Sequence, residues 1–216
     1  MSYRTPAVLA TAAVIAGGAA AQSTATVAAP EAATRWRIDA AHSAVGFAVK
    51  HMGISTVRGR FATYDGVIET GPGLALRRID VTIEPASIAT GVERRDNHLR
   101  SPDFFDVAAH ATVRFVSARV TAEGPKRFRV LGDLTMRGVT RPVTLAVETL
   151  GDAVRDMDGK RRTGATAVAT INRKDWGLSW NQALELGGVM VGEDVTLTIE
   201  IEAIAQESAA AAAATN

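Results

Sequence analysis

Arg95, Asp96, His98, Asp103 and Asp106 crowd into one stretch, Arg95-Asp96-Asn97-His98-Leu99-Arg100-Ser101-Pro102-Asp103-Phe104-Phe105-Asp106. An imidazole among carboxylates is the raw material of a general acid and base pair, with His98 and Asp103 or Asp106 as the partners. The structural alternative asks for less. Arg95 and Asp96 would tie a short helix to a neighbouring rim through charge-assisted hydrogen bonds, and no reacting atom is needed. A second charged place is Arg173-Lys174 next to Asp175-Trp176. Two cations beside an indole suit an anionic head group, although Trp36, Trp176 and Trp180 also read as aromatics packed at a rim.

A wider search for catalytic signatures is negative. No G-x-S-x-G elbow, H-E-x-x-H helix, Walker loop or G-x-G-x-x-G turn occurs. His42, His51, His98 and His110 lack the close spacing that sets two imidazoles on one metal. Asp156-Met157-Asp158-Gly159 starts like a calcium loop, but Lys160 stands where an oxygen ligand is needed and no glutamate closes it, so it reads as a turn. No catalytic residue, metal or cofactor is expected.

The elements that hold these segments alternate with period two. Val45, Phe47 and Val49 share one face of a strand, with Ala44, Gly46, Ala48 and Lys50 on the other. The same alternation runs through Ile79, Val81 and Ile83, through Val113 and Phe115, and through Phe128, Val130, Leu134 and Met136. It returns in Val143, Leu145 and Val147 and in Val195, Leu197, Ile199 and Ile201. Turn residues separate the runs at Tyr64-Asp65-Gly66, Gly71-Pro72-Gly73, Glu123-Gly124-Pro125, Arg137-Gly138 and Met157-Asp158-Gly159-Lys160. Only Val92 to Phe105 departs from this, and it reads as a short helix ended by Pro102. The fold class is therefore all-β, an extended eight-stranded antiparallel barrel of lipocalin type with a short helical cap. Closure removes the edges that long strands otherwise expose.

Lys and Arg number 24 against 23 Asp and Glu, a formal charge of +1, so no broad basic surface exists for nucleic acid. The 216 residues contain no cysteine, which rules out disulfides, thiol chemistry and an acylated cysteine anchor. Residues 1–21 carry Arg4, an apolar run from Ala7 to Ile15 and the small residues Ala19-Ala20-Ala21. This is the pattern of a cleavable signal peptide and leads to the expectation of a periplasmic protein. Residues 22–34 read as a disordered linker, 35–205 as the barrel and 206–216 as a disordered Ala-rich tail.

Several ordered motifs give the chain a resemblance to a known family. They are Trp36-x-Ile38-Asp39-x-x-His42-Ser43, Phe47-x-Val49-Lys50-His51 with Gly59-x-Phe61, and Thr90-Gly91 leading to Arg95-Asp96-x-His98-Leu99-x-Ser101-x-Asp103-Phe104-Phe105-Asp106. Gly132-Asp133-Leu134-Thr135-Met136-Arg137-Gly138-Val139-Thr140, Arg173-x-Asp175-Trp176-Gly177 and Val191-Gly192-Glu193-Asp194-Val195 follow. From Trp36 to Ile204 the sequence resembles the YceI-like family of polyisoprenoid-binding, lipocalin-like periplasmic proteins. The resemblance implies a barrel whose apolar interior takes an isoprenoid lipid, as a polyprenyl diphosphate or quinone, or another long amphiphile. It also implies a membrane cytochrome b as a partner. The oligomeric state is left open, a homodimer included.

Strand parity and the resemblance together nominate Phe47, Val49, Phe61, Val81, Ile83, Phe104, Phe105, Phe115, Leu134 and Met136 for an apolar tunnel. Arg95, His98, Arg173 and Lys174 are nominated for the head-group end. Two rivals stand beside this reading. One is a small hydrolase acting on a prenyl-type substrate through His98 and Asp103 or Asp106. The other is a solid-core interaction module in which Phe104 and Phe105 simply plug the barrel.

Overall fold

Period-two alternation is obeyed along almost the whole backbone of the computed structural model, which describes residues 33–206 apart from 150 and 186. The expected signal segment, the linker up to residue 32 and the tail from 207 lie outside the described residues. The strands are β1 (Thr34–Ile38), β2 (Ala44–His51), β3 (Ser55–Phe61), β4 (Tyr64–Thr70), β5 (Leu76–Ile83) and β6 (Ile88–Ala89). One helix follows, α1 (Glu93–Arg100), and then β7 (Val113–Ala122), β8 (Arg127–Met136), β9 (Val139–Thr149), β10 (Val154–Arg155), β11 (Arg161–Asn172) and β12 (Val191–Ala205).

These strands make an eight-position wall because three positions are bent strands in two pieces. β1 and β2 lie end to end along one edge of β12, β1 against Ala203 to Ala205 and β2 against Val191 to Glu200. β4 and β3 continue that arrangement outward, and β5 and β6 do so again. The order then runs β5, β7, β8, β9, β11, and pairing of β11 with β12 from Arg162–Ile204 to Asn172–Asp194 closes the antiparallel ring. The bends are stitched together locally. Ser87 Oγ accepts from the Ala62 and Thr63 amides at 3.1 and 3.0 Å and donates to the Glu84 carbonyl at 2.6 Å.

The expected turn at Tyr64-Asp65-Gly66 is instead the first part of β4, and the chain bends at Ala62-Thr63 while running on in the same direction from β3 into β4. Gly66 is there for close packing: a Cβ would lie 2.7 Å from the Asp80 carbonyl oxygen and 3.0 Å from Ile38 Cδ1. Arg137 and Gly138 form a two-residue hairpin loop at φ 50° and 73°, the left-handed pair such tight turns require.

The lower ends of β5 and β6 diverge, since β5 pairs with β7 whereas β6 pairs only with β3 among the described residues. Helix α1 and the segment after it occupy that divergence as the cap. Arg137 fastens the cap to the β8–β9 loop by donating to the carbonyls of Pro102, at 2.9 Å, and Phe104. Trp36 and Trp176 are not rim aromatics: they are 0% and 2% exposed. Their indole N–H groups meet Thr70 Oγ1 at 2.9 Å and the Leu134 carbonyl at 3.0 Å, the partners that burial demands. Trp180 is half-buried against Phe104 and His98.

Candidate functional site

Inward side chains of the wall enclose a cavity of about 200 Å³. Phe47 and Val49 reach it from β2, Phe61 from β3, Val81 and Ile83 from β5, Phe115 from β7, and Leu134 and Met136 from β8. Phe104 and Phe105 reach it from the cap. The ten apolar residues nominated from the sequence thus face one space. Two of the aromatics owe their positions to glycines: a Cβ on Gly59 would lie 2.4 Å from Phe47 Cζ, and one on Gly132 would lie 2.4 Å from Phe115 Cζ. Phe47 and Phe61 pack at 5.6 Å between ring centres, and Phe61 meets Phe105 edge-on at 5.7 Å, so the wall and the cap share one aromatic row.

The nominations miss much of the lining. Val143, Leu145 and Val147 of β9, Ala165 and Ala167 of β11, and Val195, Leu197, Ile199 and Ile201 of β12 face the same space. Alternation marks most of them, but alternation does not say which strand closes the ring beside β2.

Burial locates the void within the ring. Leu134, Met136, Val143, Leu145 and Val147 are buried, with Phe104 and Trp176 packed in the same cluster. Phe47, Val49, Val195, Leu197, Ile199 and Ile201 are only half-buried. Along β12 the exposed outer face belongs to the alternate residues Thr196, Thr198 and Glu200, so the accessible surface of the inner residues lies toward the cavity. The space is therefore bounded by the β2–β12 wall, opposite the filled β8–β9 side.

Among the described residues, Arg173 is the one titratable side chain in the lining. It opens the short 3₁₀ turn Arg173–Trp176 and is 4% exposed. Its Nε donates to the Gly192 carbonyl at 2.9 Å, Nη2 to that of Val191 at 3.3 Å and Nη1 to that of Leu178. Burial pulls the guanidinium below its ordinary pKa, with the Glu193 charge acting in the opposite sense. Arginine is basic enough to stay charged regardless. A buried cation held by carbonyls, against an otherwise apolar cavity, suits a polar or anionic head.

The other polar nominees lie outside the lining. Arg95 directs Nε to Thr90 Oγ1 at 2.6 Å and Nη2 to the Thr90 carbonyl at 2.9 Å. Asp96 accepts from the Thr90 amide at 2.9 Å and from its hydroxyl, so the two charges pin the start of α1 to the end of β6. Lys174 is exposed and pairs with Glu193. His98 Nε2 lies 2.8 Å from Asp103 Oδ2, with its ring edge-on to Phe104 and Trp180 at 5.0 and 4.7 Å. Asp106 shapes a turn at φ 47°, its carbonyl accepting from the Ala109 and His110 amides at 3.0 and 2.9 Å. Acid and base chemistry through His98 and these carboxylates would take place beside the cap, away from the enclosed space.

At the opposite end, Asp39, His42 and Glu202 come close enough together to share an ion. Arg162 already supplies the positive charge there, with Nη1 2.6 Å from both Asp39 Oδ2 and Glu202 Oε1.

Known proteins share this architecture. The model of the YceI-like domain matches residues 36–203. A UPF0312 protein of Staphylococcus aureus strain MSSA476 is 39% identical over 170 residues, which cover 78% of this chain and 96% of the relative. The crystal structure of a Campylobacter jejuni YceI protein superposes with a TM-score of 0.64 at 32% identity, covering 79% of this chain and 97% of that one. A polyisoprenoid binding domain from Saccharophagus degradans, at 17% identity and a TM-score of 0.57, covers 79% of this chain and 98% of its own, a likeness of fold. A family match that spans the barrel from β1 to β12 and a relative aligned over nearly its full length lead to one assignment: the chain belongs to the YceI-like domain family.

Proposed function

We propose that this protein is exported to the periplasm and holds an isoprenoid lipid, a polyprenyl diphosphate or an isoprenoid quinone, inside its barrel, carrying or sequestering it unchanged. The observation that carries this reading is the apolar cavity with Arg173 as its single charged lining residue among those described. The fold likeness to a polyisoprenoid binding domain supports the same ligand class.

Magnitudes favour such a ligand. Burying one five-carbon isoprene unit contributes roughly 3 kcal/mol, at about 0.8 kcal/mol per methylene. About four units, roughly 12 kcal/mol, then offset an association cost of about 4 kcal/mol and leave micromolar affinity. A volume of about 200 Å³ is small for such a chain. Pockets that bury drug-sized ligands measure about 300 to 1,000 Å³. Loading a long chain therefore requires the half-buried β2–β12 wall or the cap to move outward. A quinone ligand would make a membrane cytochrome b a redox partner.

Organic extraction of the protein purified from its periplasmic fraction, followed by mass spectrometry, is the test. A co-purified prenyl lipid, and uptake of a prenyl quinone added from ethanol, are the expected results. Absence of both would favour a solid-core interaction module. Turnover of a prenyl diphosphate that disappears in His98→Ala would favour a hydrolase. Retention of residues 1–21, or recovery from the cytoplasm alone, would count against export.

A further inference from the structure

The β2–β3 hairpin ends in apolar side chains that the core leaves exposed. Met52 and Gly53 both have positive φ, 54° and 74°, and the Ile54 amide donates back to the His51 carbonyl at 3.2 Å. That is the backbone of a tight hairpin turn in which asparagine or glycine folds best at the first position. A methionine there is strained and is pushed into solvent, 41% exposed, while Ile54 is 82% exposed. Val189 joins them at 42%, since the Met52 amide donates to the Met190 carbonyl at 2.8 Å and His51 pairs with Val191. Three exposed apolar side chains thus form one tip.

The charge carried by the hairpin itself has a single sign, whereas the start of β12 beside it carries Glu193, which Lys174 engages, and Asp194. From Ala44 to Thr63 the chain contains Lys50, His51, Arg58 and Arg60 and no acidic residue. Lys50, Arg58 and Arg60 are exposed on the outer face of the hairpin, and none of them pairs with a carboxylate among the described residues. The opposite end of the barrel provides a contrast. Met157 is fully exposed there too, but on a loop with Asp152, Asp156 and Asp158 among its basic residues.

We infer that the Met52–Ile54 tip is a membrane-docking element, inserting its apolar side chains between the headgroups of an anionic bilayer while the flanking cations meet the lipid phosphates. An apolar tip on a hairpin whose exposed cations are unpaired has the chemistry of an interfacial anchor, whose strength adds buried apolar area to attraction for anionic lipid. The tip continues directly into the cavity wall, because Val49 and Val191, two residues from the turn and paired beside it, both line the cavity. Docking would bring that end of the barrel against the surface from which a lipid is drawn. This step rests on the lipid-binding reading, and the two are separable by experiment.

The chain has no cysteine, so Ile54→Cys gives a single attachment point for an environment-sensitive fluorophore. Vesicles of phosphatidylcholine with about one third phosphatidylglycerol should raise and blue-shift its emission severalfold. The same label at Met157→Cys should not respond. Adding Lys50→Gln and Arg58→Gln should raise the vesicle concentration needed by about tenfold or more, in line with the attraction each cation contributes, and high salt should act likewise. An unresponsive label at position 54, or equal responses at 54 and 157, would overturn the proposal. So would an emission gain that follows protein concentration without vesicles, which would make the tip a contact between two copies. Prenyl quinone uptake from ethanol needs no bilayer: loss of uptake with insertion intact sinks the carrier reading alone, and uptake without insertion sinks docking alone.

Discussion

Asp39 and Arg162 stand 123 positions apart in the chain and meet at 2.6 Å between Oδ2 and Nη1. The contact lies where β1 bends into β2, so one ion pair ties the first strand position of the ring to the strand that closes it. Arg162 extends the tie to Asp156 and Glu202, each at 2.6 Å. Asp39 also accepts from the Ala41 amide at 3.1 Å, which shapes the bend itself.

Asp39→Asn separates the charge from the shape, because asparagine keeps the acceptor for Ala41. Arg162 first, and His42 second, hold the Asp39 carboxyl at about 2, below its ordinary 3.8. A carboxyl depressed in the folded state stabilises fully above its unfolded value, and the contribution disappears as pH falls from about 4 through about 2. The variant should be less stable at pH 7 by on the order of 1 kcal/mol, allowing for solvent screening. Urea titrations across pH 2 to 7 should show this gap closing toward pH 2.

Trp176→Phe removes the indole N–H that donates to the Leu134 carbonyl, an acceptor that the β8–β9 ladder also serves, and puts a smaller ring in a site that is 2% exposed. The expected loss is about 1 to 3 kcal/mol, from one lost hydrogen bond and the space the smaller ring leaves. Urea unfolding should give a lower midpoint with an unchanged slope, since the surface exposed on unfolding is the same.

How much of this was legible in the chain differs from residue to residue. Alternation alone put Phe47, Val81 and Leu134 on the inner face, because a strand's two faces are fixed by parity. It did not reveal that β1 with β2, and β3 with β4, are single wall positions bent in the middle, because the bend at Ala62-Thr63 has no glycine or proline to mark it. Tyr64-Asp65-Gly66 looked like that turn, yet Gly66 answers to the close approach of Asp80 and Ile38. Burial of Trp36 and Trp176 depends on distant partners, Thr70 and Leu134, that no local pattern names. The charges of Arg95 and His98 were visible, but their direction was not, since each is satisfied by a neighbour within the cap segment or beside it.

Gly59→Ala tests the glycine beneath Phe47. The new Cβ would meet Phe47 Cζ at 2.4 Å and Thr90 Cγ2 at 2.8 Å, both side-chain atoms, so the Phe47 ring must swing into the cavity it lines. Stability should fall by about 1 to 3 kcal/mol, the usual cost of overpacking, and prenyl quinone uptake should weaken with it. Gly124→Ala, where the nearest atom is Arg127 Nε at 3.8 Å, should leave stability within about 0.5 kcal/mol and uptake unchanged.

Ile199 and Thr198 are neighbours on β12 with opposite orientations: Ile199 lines the cavity and Thr198 is exposed. Ile199→Trp adds volume where the wall is half-buried and space remains, so folding should be retained while uptake of a prenyl quinone falls at least tenfold. Thr198→Trp places the same ring outside and should leave uptake unaltered. A one-residue slip in register would exchange the two outcomes, because every side chain of the strand would change faces. Fluorescence titration of the two variants therefore reads both the register of β12 and the location of the ligand, and equal uptake by both would show that the ligand sits elsewhere.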